Sequence, residues 1–241
     1  AYASFAGAGL SRHHVPSPIP ALCLRGEFFT AYTPYQPEAS QGTLQSIFEF
    51  QSMVAALLGM DVANASMYDG ATAVAEAVMM ALRIHGKRNR VILPDSLHPQ
   101  YVDVVETYLR HSEVELIRCP LKEGVIDGTQ LEGLLDNQVA ALVVQSPNVY
   151  GCLEPMKALF ETAKAHKIVC IGCTSEPLSY GVIAPPGECG ADIAAAEGTG
   201  FGIPPHFGGP GLGLFAATKK HMRKMPGRLV GQTNDEAGQR G

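Results

Sequence analysis

The stretch Asn64-Ala65-Ser66-Met67-Tyr68-Asp69-Gly70-Ala71-Thr72 sets small and polar residues where an extended segment turns into a long helical pattern. A turn of this kind leaves unpaired backbone N–H groups at the positive end of a helix dipole, a place where many folds hold a phosphate or a carboxylate. The same residue types also make an ordinary capped helix, with Ser66, Asp69 and Thr72 available as caps. Asp69 weighs against the anion: its carboxylate caps the helix well and repels a phosphate dianion.

A second candidate is Tyr32-Thr33-Pro34-Tyr35-Gln36-Pro37-Glu38-Ala39-Ser40-Gln41-Gly42, a polar and aromatic loop with two prolines. Stiff loops dense in hydroxyl, amide and carboxylate groups are where recognition residues tend to sit, and the alternative is a surface connection. The adjacent His13 and His14 follow no further ligand at helical spacing, so they read as satisfied polar residues more readily than as a metal pair. Cys170-Ile171-Gly172-Cys173 has the spacing of a zinc or redox motif, but it falls in a strand-like run, and residues three apart on a strand face opposite sides. Glu197-Gly198-Thr199-Gly200-Phe201-Gly202 is followed by Pro204 and Pro205, which deny it the helix a dinucleotide fingerprint requires. The chain has no G-x-S-x-G elbow, no H-E-x-x-H and no Walker loop.

The elements that must position these residues follow from periodicity. Prolines 16, 18 and 20 make a stiff entry with at most one short helix around 19–25. Leu44, Ile47, Phe48, Gln51, Val54, Ala55 and Leu58 form one stripe of a helix over 43–58 that Gly59 ends. Ala71, Val74, Ala75, Val78, Met79 and Leu82 do the same for a helix that begins near Gly70. Strands are expected over 90–94, 113–119, 139–145, 168–173 and 191–196, and helices over 99–109, 128–135 and 156–166. A glycine-rich turn at 207–213 leads into a further strand, and a short helix starts at Lys219. Continuous apolar strands alternating with amphipathic helices imply one α/β domain with a largely parallel sheet covered on both faces.

Composition narrows the partners. The 241 residues carry a net charge of −5, with no basic cluster and no run of eighteen apolar residues. Nucleic acid and an anionic membrane surface both demand a positive footprint, so neither is expected as a partner. Six scattered cysteines, some in apolar runs, fit free thiols in a reducing cytoplasm. A start without Met and an end at Gln239-Arg240-Gly241 suggest an excised portion of a longer protein.

The loop over 32–42 and the turn over 64–72, together with Val143-Val144-Gln145-Ser146-Pro147-Asn148, Phe207-Gly208-Gly209-Pro210 and Pro226-Gly227-Arg228-Leu229-Val230-Gly231, closely resemble the glycine cleavage system P-protein family. Within it they resemble subunit 1 of the two-subunit bacterial glycine dehydrogenase (decarboxylating). The resemblance implies the large domain of the aspartate-aminotransferase-like fold, fold type I of the pyridoxal-phosphate (PLP) enzymes. An N-terminal arm and interface loop would cover residues 1–45 and the α/β large domain 46–241, with the family's smaller C-terminal domain absent from this chain. It implies glycine decarboxylation on pyridoxal phosphate, with the aminomethyl group passed to lipoylated H-protein. That chemistry needs a Schiff-base lysine and an acid for the pyridinium nitrogen. In fold-type relatives the lysine follows the strand at 191–196, yet no lysine lies between Lys167 and Lys219; Lys219 and Lys220 stand far past the glycine-rich turn. The acid should end the strand at 168–173, where Glu176 is the nearest candidate, while Asp192 and Glu197 belong to another strand.

The resemblance therefore implies no catalytic lysine and no covalent cofactor here, with pyridoxal phosphate bound by subunit 2 and glycine as substrate of the complex. Active sites of this fold lie at a subunit interface. Tyr35, Gln36 and Ser40 are the expected substrate or interface residues, with His14, Tyr68 and Asp69 as further contacts; no metal is expected. The alternative is a noncatalytic scaffold or regulatory module that stabilises subunit 2 and docks H-protein. A stand-alone aminotransferase or desulfurase is disfavoured by the missing lysine.

Overall fold

A computed structural model of the chain describes residues 11–33 and 35–239; Pro34, one of the two prolines expected to stiffen the first loop, lies outside them. In chain order the regular elements are α1 (Pro18–Cys23), α2 (Gly26–Phe29), α3 (Gln41–Leu57), β1 (Val62–Ala63), α4 (Gly70–His85), β2 (Arg90–Pro94), α5 (Pro99–Leu109) and β3 (Glu115–Cys119). There follow β4 (Leu121–Lys122), β5 (Val125–Ile126), α6 (Gly128–Leu134), β6 (Val139–Gln145), α7 (Met156–Ala165), β7 (Val169–Thr174), β8 (Ile193–Glu197) and β9 (Gly213–Ala217). Short 3₁₀ turns cover Pro177–Gly181, Thr199–Phe201 and Lys219–Lys224.

Seven strands form one sheet in the order β1-β9-β8-β7-β6-β2-β3, and β4 and β5 make a separate antiparallel hairpin. Strands β2, β3, β6, β7 and β8 pair in parallel. A parallel pair needs a crossover, and each of these strands has helical or 3₁₀ structure before the next. The link from β8 to β9 has only a 3₁₀ turn, and β9 returns antiparallel to both β8 and β1. The expected mostly parallel α/β sheet is present, and β9 is its single reversal among the described residues.

Helices α4 and α5 cover one face, where Val78, Met80 and Val105 pack against Val91, Ile171, Ile193 and Phe215. On the other face α7 brings Leu159 and Phe160 onto Leu142, Val144 and Cys170, and α3 sets Val54 and Leu58 on Ala194, Leu214 and Ala216. Cys170 and Cys173 lie in the cores of opposite faces, as the strand period requires, so the two thiols face no common metal.

The apolar stripe of α4 is wider than its periodicity indicates. Ala73, Ala77, Met80 and Ala81 are fully buried, whereas Ala71, Met79 and Leu82 are only partly so, because the helix is held between the sheet and α5. Gly86, at φ 69°, ends it in the left-handed conformation that glycine adopts at no steric cost. The other end of α4 meets the carboxyl ends of the parallel strands, the edge at which open α/β sheets build their sites.

Candidate functional site

At that edge lies a cavity of about 460 Å³ lined by Asp69, His98, Tyr101, Glu197, Thr199 and the glycine-proline run at 208–211, among others. The residues reach it from four directions. Asp69 is the N-cap of α4: its side chain accepts from the Thr72 N–H at 2.8 Å, and the Asp69 N–H donates to Thr72 Oγ1 at 3.2 Å, a reciprocal capping box. The capping role read from the sequence is thus met by Asp69 and Thr72. Ser66 sits instead in the turn at φ 125°, its N–H bonded to Asn64 Oδ1 at 3.2 Å.

Glu197, the last residue of β8, projects onto the same helix end. Its Oε2 accepts from the Gly70 N–H at 2.8 Å, and its Oε1 accepts from the N–H groups of Thr199 at 3.0 Å and Leu212 at 3.1 Å. Tyr101 closes in from α5. A methyl group on Gly70 would come within 2.9 Å of Glu197 Cβ and would collide with the Tyr101 hydroxyl, so only glycine fits where these three meet. Burial, reinforced by Glu197 and Asp69, holds the Tyr101 phenol protonated well above the ordinary tyrosine range.

His98 is placed by a buried polar network behind the cavity. Its backbone N–H donates to Gln145 Oε1 at 2.8 Å, its Nδ1 accepts from the Gln100 N–H at 3.2 Å, and its ring lies 5.2 Å from that of Tyr101. Accepting at Nδ1 puts the proton of a neutral imidazole on Nε2. Deeper still, Glu154 accepts from Ser96 Oγ at 2.8 Å, Asn148 Nδ2 at 2.8 Å and the Ile126 N–H at 2.9 Å. This carboxylate ties the loops after β2 and β6 to strand β5, and its hydrogen bonds offset the cost of its burial. His98, Tyr101 and Glu154 did not stand out in the sequence, and Gln145 did so only as part of the stretch at 143–148.

Two of the remaining candidates, Tyr35 and Tyr68, lie on the other side of the turn at 66–69. Tyr35, Ser66, Met67, Tyr68 and Arg228 line a cavity of about 350 Å³. The Arg228 guanidinium lies 4.9 Å from the centroid of the Tyr35 ring, a cation–π contact, and Tyr32 lies 5.2 Å from Tyr35 on ring centroids. Tyr35 is 63% exposed and Tyr68 84%. The segment carrying Arg228 is docked by Gln51, which both donates to the Val230 carbonyl at 2.8 Å and accepts its N–H at 3.0 Å, and by Asn64, which donates to the Pro226 carbonyl at 3.1 Å.

Tyr35 and Tyr68 are thus brought together, and Asp69 is one residue away in the neighbouring cavity. Ser40 is not free to join them: it caps α3, accepting from the Thr43 N–H at 3.4 Å and donating to Thr43 Oγ1 at 2.9 Å. Gln36 is exposed and its backbone bonds within the loop, with N–H to the Tyr32 carbonyl at 2.9 Å. His14 is exposed, while its neighbour His13 bonds Glu176 Oε2 at 2.6 Å. Among the described residues no three His, Cys, Asp or Glu side chains converge as a metal site.

The residues at the strand ends do not fit pyridoxal phosphate. No lysine lines the cavity beside α4. Lys219 and Lys220 follow β9, whose last residue Ala217 pairs with Ile193 at the start of β8, so they stand at the opposite edge of the sheet. Glu176, the acid nearest the end of β7, is held by His13 and by the Leu178 N–H. The helix end that could take a phosphate carries two carboxylates.

Residues 1–241 match the family described as glycine cleavage system P-protein. The chain belongs to that family. It is 50% identical to the probable glycine dehydrogenase (decarboxylating) subunit 1 of Anoxybacillus flavithermus over all of this chain and 53% of that protein. The corresponding protein of Protochlamydia amoebophila is 50% identical over 99% of this chain and 53% of its own length. The chain therefore spans about half the length of these P-protein relatives. A crystal structure of glycine decarboxylase (P-protein) of the glycine cleavage system, in inhibitor-bound form, superposes on 98% of this chain and 53% of its own, with a TM-score of 0.90 and 46% identity. Pyridoxamine-pyruvate aminotransferase from Mesorhizobium loti, at 18% identity and a TM-score of 0.61 over 95% of this chain, shares the fold alone. The P-protein fold here is the large domain of fold type I, the class expected from the sequence.

Proposed function

We propose that this chain is the cofactor-free half of a heteromeric glycine decarboxylase. Pyridoxal phosphate and its lysine belong to subunit 2, glycine is the substrate of the complex, and the aminomethyl group goes to the lipoyl arm of H-protein. One observation supports the reading: on a scaffold 46% identical to a glycine decarboxylase, the first amide of α4 is held by Glu197, and no lysine lines the cavity beside it. When bound in the partner, the cofactor supplies an electron sink for the carbanion left by decarboxylation. The contribution of this chain is positional. Residues 1–45 act as an arm and interface loop, 46–241 form the large domain, and the smaller C-terminal domain belongs to the part of the relatives' length that this chain does not span.

Tyr35, Tyr68 and Arg228 offer a phenol pair and a cation on one exposed rim, suited to hydrogen-bonding a carboxylate or a cofactor phosphate held by the partner. The full-length protein alone should form no borohydride-reducible lysine adduct with pyridoxal phosphate, and glycine-dependent bicarbonate exchange should appear only on mixing with subunit 2 and H-protein. A reducible adduct on one specific lysine of the unmixed protein would contradict the reading. In the mixed enzyme, Tyr35→Ala with Gln36→Ala should lower exchange at least about tenfold, as losing one or two polar contacts does; unchanged turnover with intact assembly removes the pair from the site.

A second reading, a noncatalytic scaffold that stabilises subunit 2 and docks H-protein, is favoured by the engagement of Ser40 and Asp69 in helix caps. It predicts that loop substitutions change activity only in proportion to the amount of complex formed.

A further inference from the structure

Three segments that are distant in the chain turn their backbone N–H groups onto one carboxylate. Gly70 opens α4, Thr199 begins the turn after β8, and Leu212 leads into β9; all three donate to Glu197, at 2.8, 3.0 and 3.1 Å. Amides from a helix N-terminus and from adjoining loops, converging on a single negative group, are the means by which folds bind phosphate and other small oxyanions. Here the negative group is part of the chain.

We infer that Glu197 is a built-in anion that occupies this amide cradle and excludes phosphate from it, and that it thereby fixes which half of the enzyme can take the phosphorylated cofactor. For its biological meaning the inference rests on the reading of this chain as the cofactor-free half.

Two further features make the occupation tight. The first is packing. A methyl group on Gly211 would stand 2.9 Å from Asp69 Cβ and 3.3 Å from Glu197 Oε2, and one on Gly213 would stand 2.6 Å from Met67 Cβ, so the glycine run lies directly on the turn and the carboxylate. An anion could reach the three amides only by displacing the carboxylate that holds them. The second is charge. Asp69 takes the Thr72 N–H at 2.8 Å on the same first turn, and the Ala73 N–H bonds the Asp69 carbonyl at 3.0 Å. An incoming dianion would meet two carboxylates at the helix end that should attract it, and like charges at such distances are strongly unfavourable. A tethered carboxylate also loses no translational freedom on binding, an advantage no free anion has.

The test is binding of inorganic phosphate to the full-length protein by equilibrium dialysis, with hydrogen exchange read at Gly70, Thr199 and Leu212. The wild type should bind no phosphate at these amides. Glu197→Ala should bind one equivalent and gain phosphate-dependent protection at the three amides. Adding Asp69→Asn, which keeps the cap but removes its charge, should tighten binding further. A wild type that binds phosphate at these amides as well as Glu197→Ala, or a folded Glu197→Ala that binds none, overturns the inference.

Should Glu197→Ala fail to fold, Glu197→Gln replaces it, because the amide keeps the shape and lacks the charge. Phosphate should then raise the Tm of Glu197→Gln more than that of the wild type, and equal rises overturn the inference. The titration uses this protein by itself, so its failure leaves activity on mixing untouched, and a failure of mixing leaves the titration untouched.

Discussion

Asp69 shows how far a single residue could be read before its surroundings were known. Its effect is local: a carboxylate three residues before Thr72 caps the helix whatever the rest of the chain does, and the capping box closes as its spacing indicates. Asp69→Ala should therefore cost about 1 kcal/mol, and Asp69→Asn no more than a few tenths, in the urea-unfolding free energy. Equal losses would mean that the negative charge rather than the acceptor oxygen holds the turn. Glu197 was not legible in this way. As an acid at the end of β8 it looked misplaced for the ring nitrogen of a cofactor, and its partners Gly70 and Leu212 stand 127 and 15 residues away in the chain. His98 and Glu154 were silent for the same reason, since the hydrogen bonds that define them join residues as far as 58 apart and no periodicity announces them. Ser40 illustrates the opposite limit: hydroxyl chemistry made it a candidate, and local geometry committed it to a cap.

Among elements, those whose pattern is set by burial were legible, and those set by contact with one neighbour were less so. The strands at 90–94 and 139–145 and the helix at 99–109 occur at their expected bounds because each must bury a continuous or amphipathic face. The expected strand at 191–196 runs from Ile193 to Glu197, a shift that puts the acid at the sheet edge. The β4–β5 hairpin and α2 are too short to carry a period and were missed. The antiparallel β9 is the element that the site depends on most. It is laced to the opening turn by paired bonds, Met67 N–H to the Gly213 carbonyl at 2.8 Å and Gly213 N–H to the Met67 carbonyl at 2.9 Å. A methyl group on Gly213 would meet the Asp69 carbonyl oxygen at 2.5 Å and Met67 Cβ at 2.6 Å. Gly213→Ala should accordingly destabilise the fold by about 1–3 kcal/mol, the range for overpacking a tight contact. Gly128→Ala supplies the control. Nothing lies within 4 Å of its added carbon at the start of α6, so the change should be neutral or stabilising by up to about 1 kcal/mol. Unfolding midpoints of the two variants at matched slopes decide the point; equal effects would show that the close approach of β9 to the turn is not what Gly213 serves.

The whole molecule is one sheet between two helical layers, and its cysteines report on whether those layers open together. Cys170 and Cys173 are fully buried on adjacent parts of β7, but the first belongs to the core under α7 and the second to the core under α4 and α5. Burial pushes the Cys170 thiol up to about 12 and that of Cys173 higher still, so neither forms thiolate while folded at neutral pH. Cys23, exposed at the end of α1, has no such protection. A thiol reagent should thus label Cys23 within the dead time of mixing and reach Cys170 and Cys173 only through opening of the fold. Parallel strands buried on both faces have no stable half: exposing one face of β7 leaves its neighbours β6 and β8 with an uncovered apolar surface, which favours loss of the whole layer at once. Cys170 and Cys173 should therefore be labelled at the same rate at each urea concentration, with a denaturant dependence equal to that of global unfolding. Faster labelling of Cys170 alone would mean that α7 lifts from the sheet while α4 stays in place. In that event the α4 end, with Asp69 and Glu197, would belong to a more stable unit than the layer on the opposite face, and the site could persist in a partly opened chain.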